Sequence, residues 1–185
     1  MRWIGTGEKN FAFTHNGKEY WYSRSIVCSI FVYAKYKGDW YIAVSQRGDN
    51  QTSPRAWNVP GGFLDHNETL DECALRELFE EVGMHIYKDP TLYKISENHG
   101  GKQHVIFSWY LNLGNVDELP ELTQEHNEPG ETLAVEWMKV GDEYTRRWIS
   151  GHNMLLEDIY KNRININWWK RLRNRFHHRG TDVII

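Results

Sequence analysis

Three glutamates, Glu77, Glu80 and Glu81, stand at i, i+3 and i+4, a spacing that makes them neighbours on a helix surface. At ~100° per residue they fall within roughly 100° of arc. Like charges that close repel, so helix stability gives no reason to gather them. A hard divalent cation does, because Mg²⁺ and similar ions take oxygen ligands. The plain alternative is a solvated acidic face, the usual fate of such a cluster. The surroundings weigh against it: Arg76 adjoins the trio, and Glu68 and a Gly61-Gly62 pair precede it.

Residues 61–84 read GGFLDHNETLDECALRELFEEVGM. Gly62 is followed after five residues by Glu68, and after seven more by Arg76-Glu77-Leu78-Phe79-Glu80-Glu81-Val82-Gly83-Met84. This pattern resembles the signature of the Nudix hydrolase family, whose domain is MutT-like, and every fixed position is filled. The lead-in Trp57-Asn58-Val59-Pro60-Gly61 is similar too. The motif covers only this segment, while the order of elements around it agrees with the family's domain. The resemblance implies an α/β (α+β) fold: a mixed β-sheet sandwiched between helices, with the motif helix against it. It also implies metal-dependent cleavage of the pyrophosphate bond in a nucleoside diphosphate linked to a further group X, by water attack on one phosphorus.

Carried over residue by residue, the resemblance makes Glu77, Glu80 and Glu81 metal-binding carboxylates. It makes the backbone carbonyl of Gly61 an additional ligand, with Mg²⁺ the expected cofactor and Mn²⁺ a substitute. Glu68 takes the supporting loop position. Arg76 matches the residue that orients a motif Glu, a fixed-fork role that Lys fills poorly. The general base varies across the family. Glu77 is one candidate, and Glu125, Glu128 and Glu131 of a later loop are others; spacing does not choose among them.

The elements that must hold these residues are partly visible. A helix should begin near Leu70, where Thr69 and Glu72 are spaced as a capping box. It should end at Gly83, a residue suited to the left-handed position after the last turn. Ala74, Leu75, Leu78, Phe79 and Val82 make its apolar stripe. Upstream, residues 11–22 (FAFTHNGKEYWY) predict a hairpin turning on Asn16-Gly17. Residues 25–34 (SIVCSIFVYA) form a continuous apolar run, hence a buried strand, and residues 40–47 its hairpin partner. Arg47 and Arg55 flank the polar loop after it and are candidates to reach substrate phosphate oxygens.

Downstream, residues 85–93 read as a short strand broken at Pro90, and residues 97–102 as a Gly-bearing loop. Residues 104–113 and 133–140 are further strands. Between these two, residues 117–131 hold six acids and no Lys or Arg. That segment is either a solvated loop or one whose Glu swings over the metal site. Residues 153–160 predict a closing helix. Residues 168–178 (WWKRLRNRFHH) form a basic amphipathic stretch, with Trp168, Trp169, Leu172 and Phe176 opposite Lys170, Arg171, Arg173 and Arg175.

At 185 residues the chain suits one domain with terminal extensions. These divide as an extension with the hairpin over 1–24, the Nudix domain over 25–162 and the basic segment over 163–185. A net charge of −3 does not point to nucleic acid or membrane. No apolar run approaches ~20 residues, so no membrane span is expected. The N-terminus lacks a charged-then-apolar signal pattern, which makes a cytoplasmic enzyme the expectation. The aromatic hairpin is a candidate homodimer contact. Cys28 and Cys73 sit in no CxxC pair and read as reduced, semi-buried thiols. Two alternatives stand beside the hydrolase: a non-catalytic nucleotide-sensing module, and an RNA 5′-end pyrophosphohydrolase whose local support is the basic C-terminal stretch.

Overall fold

The computed structural model describes residues 10–23, 26–65, 68–98, 104–127, 129–149 and 151–164. Glu128 and the basic stretch at 168–178 lie outside them. The first two strands, β1 (Asn10–His15) and β2 (Lys18–Ser23), pair antiparallel as a sheet of their own. Asn16 and Gly17 join them with φ of 51° and 73°, the two positive values a type I′ turn requires.

The rest is built on one seven-stranded mixed sheet. Its central strand, β3 (Ile26–Tyr36), is buried on both faces, which explains its unbroken apolar run. On one side β3 pairs antiparallel with β4 (Asp39–Arg47), on the other parallel with β8 (His104–Asn115). Beyond these come β5 (Trp57–Asn58), β7 (Thr91–Asn98) and β9 (Thr132–Lys139), while β6 (Gly61–Phe63) lies antiparallel on the start of β3.

Alternation along β3 sends its side chains to two cores. Cys28, Ile30 and Val32 pack with Cys73, Ala74, Leu78 and Val82 of α1 (Leu70–Val82). Phe31 and Tyr33 pack with Leu156, Ile159 and Tyr160 of α2 (His152–Arg163). One helix therefore covers each face, giving the expected α/β/α sandwich.

Three details differ from the sequence reading. Residues 85–90 form no strand; β7 begins only at Thr91, after Pro90, and carries on through Asn98, taking Glu97 and Asn98 from the expected loop. The short strands β5 and β6 were not anticipated. Cys28 and Cys73 are wholly buried rather than half-buried, and both thiols are free.

Candidate active site

Helix α1 is delimited by its own side chains. Thr69 Oγ1 accepts from the Glu72 backbone N–H while Glu72 Oε2 accepts from that of Thr69, closing the capping box. Gly83 ends the helix at φ 72°, its N–H donating to the Phe79 carbonyl. Between these ends the expected division of faces is altered. Glu81 is buried with Cys73, Ala74, Leu78 and Val82. Phe79 lies outside the core, stacked between His85 and His126 at centroid distances of 4.0 and 4.2 Å.

Arg76 gathers the exposed side of the acidic cluster. Its Nε and Nη2 each donate to Glu68 at 2.9 Å. Its Nη1 donates to Glu77 at 2.8 Å and to Glu80 at 2.7 Å, and Nη2 also reaches the Phe63 carbonyl at 3.0 Å. The guanidinium holds the Glu68 carboxyl down at about 2. Glu77 is less well served: burial pushes it up to about 7 although Arg76 pulls the other way, and Glu80 and Glu131 add to the rise.

Among the described residues no such cation is bonded to the Glu81 carboxylate. Its Oε2 accepts from Ser45 Oγ at 2.8 Å and from Asn58 Nδ2 at 3.2 Å, both neutral donors. Burial raises its carboxyl to about 8, opposed by the Ser45 bond and reinforced by the negative charges of Glu77 and Glu131. Ser45 and Asn58 are cross-strand partners on β4 and β5, which is why their side chains meet. Neither was picked out from the sequence. The one available signal was an amide set among the apolar neighbours Trp57, Val59 and Pro60.

The paired glycines are required by crowding. A Cβ on Gly61 would lie 2.6 Å from the Cys28 carbonyl oxygen, and one on Gly62 would lie 2.2 Å from Glu77 Oε1. Gly61 is thereby held against β3, and Glu77 rests directly on the backbone of β6.

The described residues of the acidic segment are tied to the domain at several points. The Thr123 N–H donates to the Val82 carbonyl and Asn127 Nδ2 to the Glu81 carbonyl, so the segment caps the end of α1. Trp137 Nε1 holds the Pro120 carbonyl, and the Gly48 N–H holds that of Glu131. Of the later-loop candidates, Glu131 stands where its charge acts on both Glu77 and Glu81. Glu125 is exposed.

Arg47 donates to the Thr52 carbonyl and to Gln51 Oε1, and its charge reaches both Glu81 and His152. Arg55 is farther out, in an exposed pair with Asp49 at 2.7 Å. His152 takes the Val59 N–H on Nδ1 at 3.3 Å, and burial lowers it to about 4, so it is neutral.

The donor set can be tested against the cation it is expected to hold. Glu77, Glu80, Glu81 and the Gly61 carbonyl offer only hard oxygen atoms, suited to Mg²⁺ or Mn²⁺ and not to soft metals. Two of these carboxyls are pushed toward the protonated form, first by burial and then by the neighbouring carboxylates. A divalent cation supplies positive charge there, so the residues fit. Among the described residues no three side chains yet converge as a finished cage; Arg76 draws Glu77 and Glu80 to itself.

The model of the NUDIX domain matches residues 24–157, and the chain belongs to that family. Over 65 residues it is 34% identical to an 8-oxo-dGTP diphosphatase of Proteus vulgaris, covering 35% of this chain and 57% of that protein. Over 47 residues it is 45% identical to an RNA pyrophosphohydrolase of Sphingopyxis alaskensis, covering 25% of this chain and 28% of that one. The chain thus matches only part of the length of each of these curated relatives. Its fold is similar to that of a bifunctional NMN adenylyltransferase/ADP ribose pyrophosphatase of Francisella tularensis, solved with AMP and a manganese ion. The TM-score there is 0.62 at 19% identity, over 75% of this chain and 41% of that one. No helix of the described residues is long and apolar enough to cross a membrane.

Proposed function

We propose that this chain hydrolyses the pyrophosphate bond of a nucleoside diphosphate carrying a further group, using Mg²⁺ or Mn²⁺ held by Glu77, Glu80, Glu81 and the Gly61 carbonyl. The observation that carries the proposal is the crowding of Glu77 and Glu81, both raised by burial, Glu77 sharing Arg76 with two other carboxylates and Glu81 met by neutral donors, inside a complete family motif. When bound, a divalent cation neutralises phosphate charge and lowers the pKa of water. The chain's own residues supply the rest. Glu68 fixes Arg76, and Arg76 sets the orientation of Glu77 and Glu80. Our candidate to take a proton from water is Glu131, whose charge acts on both Glu77 and Glu81; Glu77 is the other candidate, and Glu128 lies outside the described residues. Arg47 is the nearer phosphate contact, while Arg55 is held outward by Asp49.

The motif relatives act on oxidised nucleotides and on RNA by their names, which keeps an RNA 5′ end among the substrates to be tested. The hairpin, paired only with itself among the described strands, is the proposed homodimer contact. The test is turnover of 5′-triphosphate RNA, oxidised deoxynucleoside triphosphates, nucleoside diphosphate sugars and dinucleoside polyphosphates with Mg²⁺ or Mn²⁺, read as released phosphate species. One class should be cleaved, and chelation should stop it. Tight metal-dependent binding with no product from any class would make the chain a sensing module instead.

A further inference from the structure

Glu81 is held by one of its two oxygens. Both Ser45 Oγ and Asn58 Nδ2 donate to Oε2, at 2.8 and 3.2 Å, and neither bond uses Oε1. Ser45 is 1% exposed, Asn58 3% and Glu81 7%. The Asn58 amide has only one sensible orientation. Its Nδ2 also donates to the Val59 carbonyl at 3.1 Å, and its Oδ1, 3.0 Å from Ser45 Oγ, is the alternative acceptor for the single Ser45 proton. Reversing the amide would set its oxygen against a carbonyl and a carboxylate at once. Ser45 and Asn58 are opposite each other in the β4–β5 ladder, so the pair is fixed by backbone pairing and does not depend on a mobile loop.

Groups that grip a metal ligand from behind orient it and tune the site, and removing one typically costs 10–100-fold in affinity. We infer that Ser45 and Asn58 are positioning residues for the cation: they hold Glu81 by Oε2 so that Oε1 is the oxygen it offers as a ligand. This rests on the metal-dependent reading above. The pair gives the buried end of the site a rigidity that its exposed end draws from Arg76. It also accounts for polar side chains at two positions where the sheet would otherwise bury apolar ones.

The test is Mn²⁺ binding, read from the loss of the free-ion electron paramagnetic resonance signal, on wild type, Ser45→Ala, Ser45→Thr, Asn58→Leu and Glu81→Gln. Calorimetric melting of each checks the fold. Ser45→Ala and Asn58→Leu should weaken Mn²⁺ about tenfold or more. Ser45→Thr, which keeps the hydroxyl, should bind within about threefold of wild type, and Ser45→Ala should recover turnover at saturating Mn²⁺. Should Asn58→Leu fail to fold, Ser45→Ala with its Thr counterpart decides alone. Wild-type affinity in Ser45→Ala alongside lost binding in Glu81→Gln overturns the positioning role only. Wild-type affinity in Glu81→Gln overturns the metal reading itself.

Discussion

The acidic cluster of α1 has two ends that solve the same electrostatic problem differently. At the exposed end, Glu68, Glu77 and Glu80 share the single charge of Arg76, whose side chain is 26% exposed. At the buried end, Glu81 is met by a hydroxyl and an amide, which orient it without neutralising it. One guanidinium serves three carboxylates, and two further acids, Glu81 and Glu131, stand close by. The excess negative charge is therefore concentrated where solvent cannot relieve it. Glutamates of one helix thus meet different surroundings because the sheet buries Glu81 and leaves Glu80 half in water.

The largest expected effect separates the two ends. Glu81→Gln should lower turnover by about a thousandfold, since a lost cation ligand forfeits several kcal/mol of transition-state stabilisation. The same change should raise the melting temperature of the metal-free protein at pH 8, because it deletes an uncompensated buried charge. Glu80→Gln, half exposed and bonded to Arg76, should reduce turnover without that gain in stability. Equal melting shifts in the two variants, measured by scanning calorimetry in chelator, would erase the distinction between the ends.

The next effect is on stability against pH. In the folded protein Glu77 and Glu81 are raised from 4.5 to about 7 and about 8. The folded state thus keeps protons that the unfolded chain has already released. Their contribution is complete below the unfolded value and is lost as pH rises through the folded values, by at most about 1.4 kcal/mol per pH unit for each group. His152 has the opposite sign. It is lowered from 6.5 to about 4, so its contribution is lost only as pH falls below 6.5. Between pH 6.5 and 8.5 the carboxyls therefore act without it. The melting temperature of the metal-free protein should drop by several degrees over that window, and saturating Mg²⁺ should restore more of it at pH 8.5 than at 6.5. A metal-free melting temperature that rises with pH would refute the charge excess at the buried end.

The exposed end was far more legible in the sequence than the buried one. Thr69, Glu72 and Gly83 announce a helix through local hydrogen bonds, and Asn16-Gly17 a hairpin through local backbone freedom. The three carboxylate partners of Arg76 lie within eight residues of it, along one helix and its entry loop, so spacing alone could group them. The buried end depends on chain pairing. Ser45 and Asn58 meet only because β4 and β5 run side by side. Strand β5 is too short to show any period, and β6 exists because two glycines let the chain press on Cys28 and Glu77. The burial of Glu81 is hidden for the same reason: helical periodicity sets its direction, and only the sheet determines what lies there. For residues 85–90 the β-branched and aromatic content was misleading, because Pro90 delays the strand until Thr91.

The smallest expected effect tests whether the two ends are independent. Arg76 places its N–H groups on five oxygen acceptors: both Glu68 oxygens, Glu77, Glu80 and the Phe63 carbonyl. Lysine keeps the charge but has three donors, so at least two acceptors lose a partner. With the site partly open to solvent, Arg76→Lys should cost about 2 kcal/mol, below the range for breaking a fully buried pair. Urea denaturation of Arg76→Lys, Glu81→Gln and the double variant in chelator measures the coupling. Separate ends predict energies that add within about 0.5 kcal/mol. The channel through which they could fail to add is Glu77, bonded to Arg76 on one side and repelling Glu81 on the other. A coupling above that limit would mean that Arg76 steadies Glu81 through Glu77. The charge excess would then belong to the whole cluster and not to its buried end.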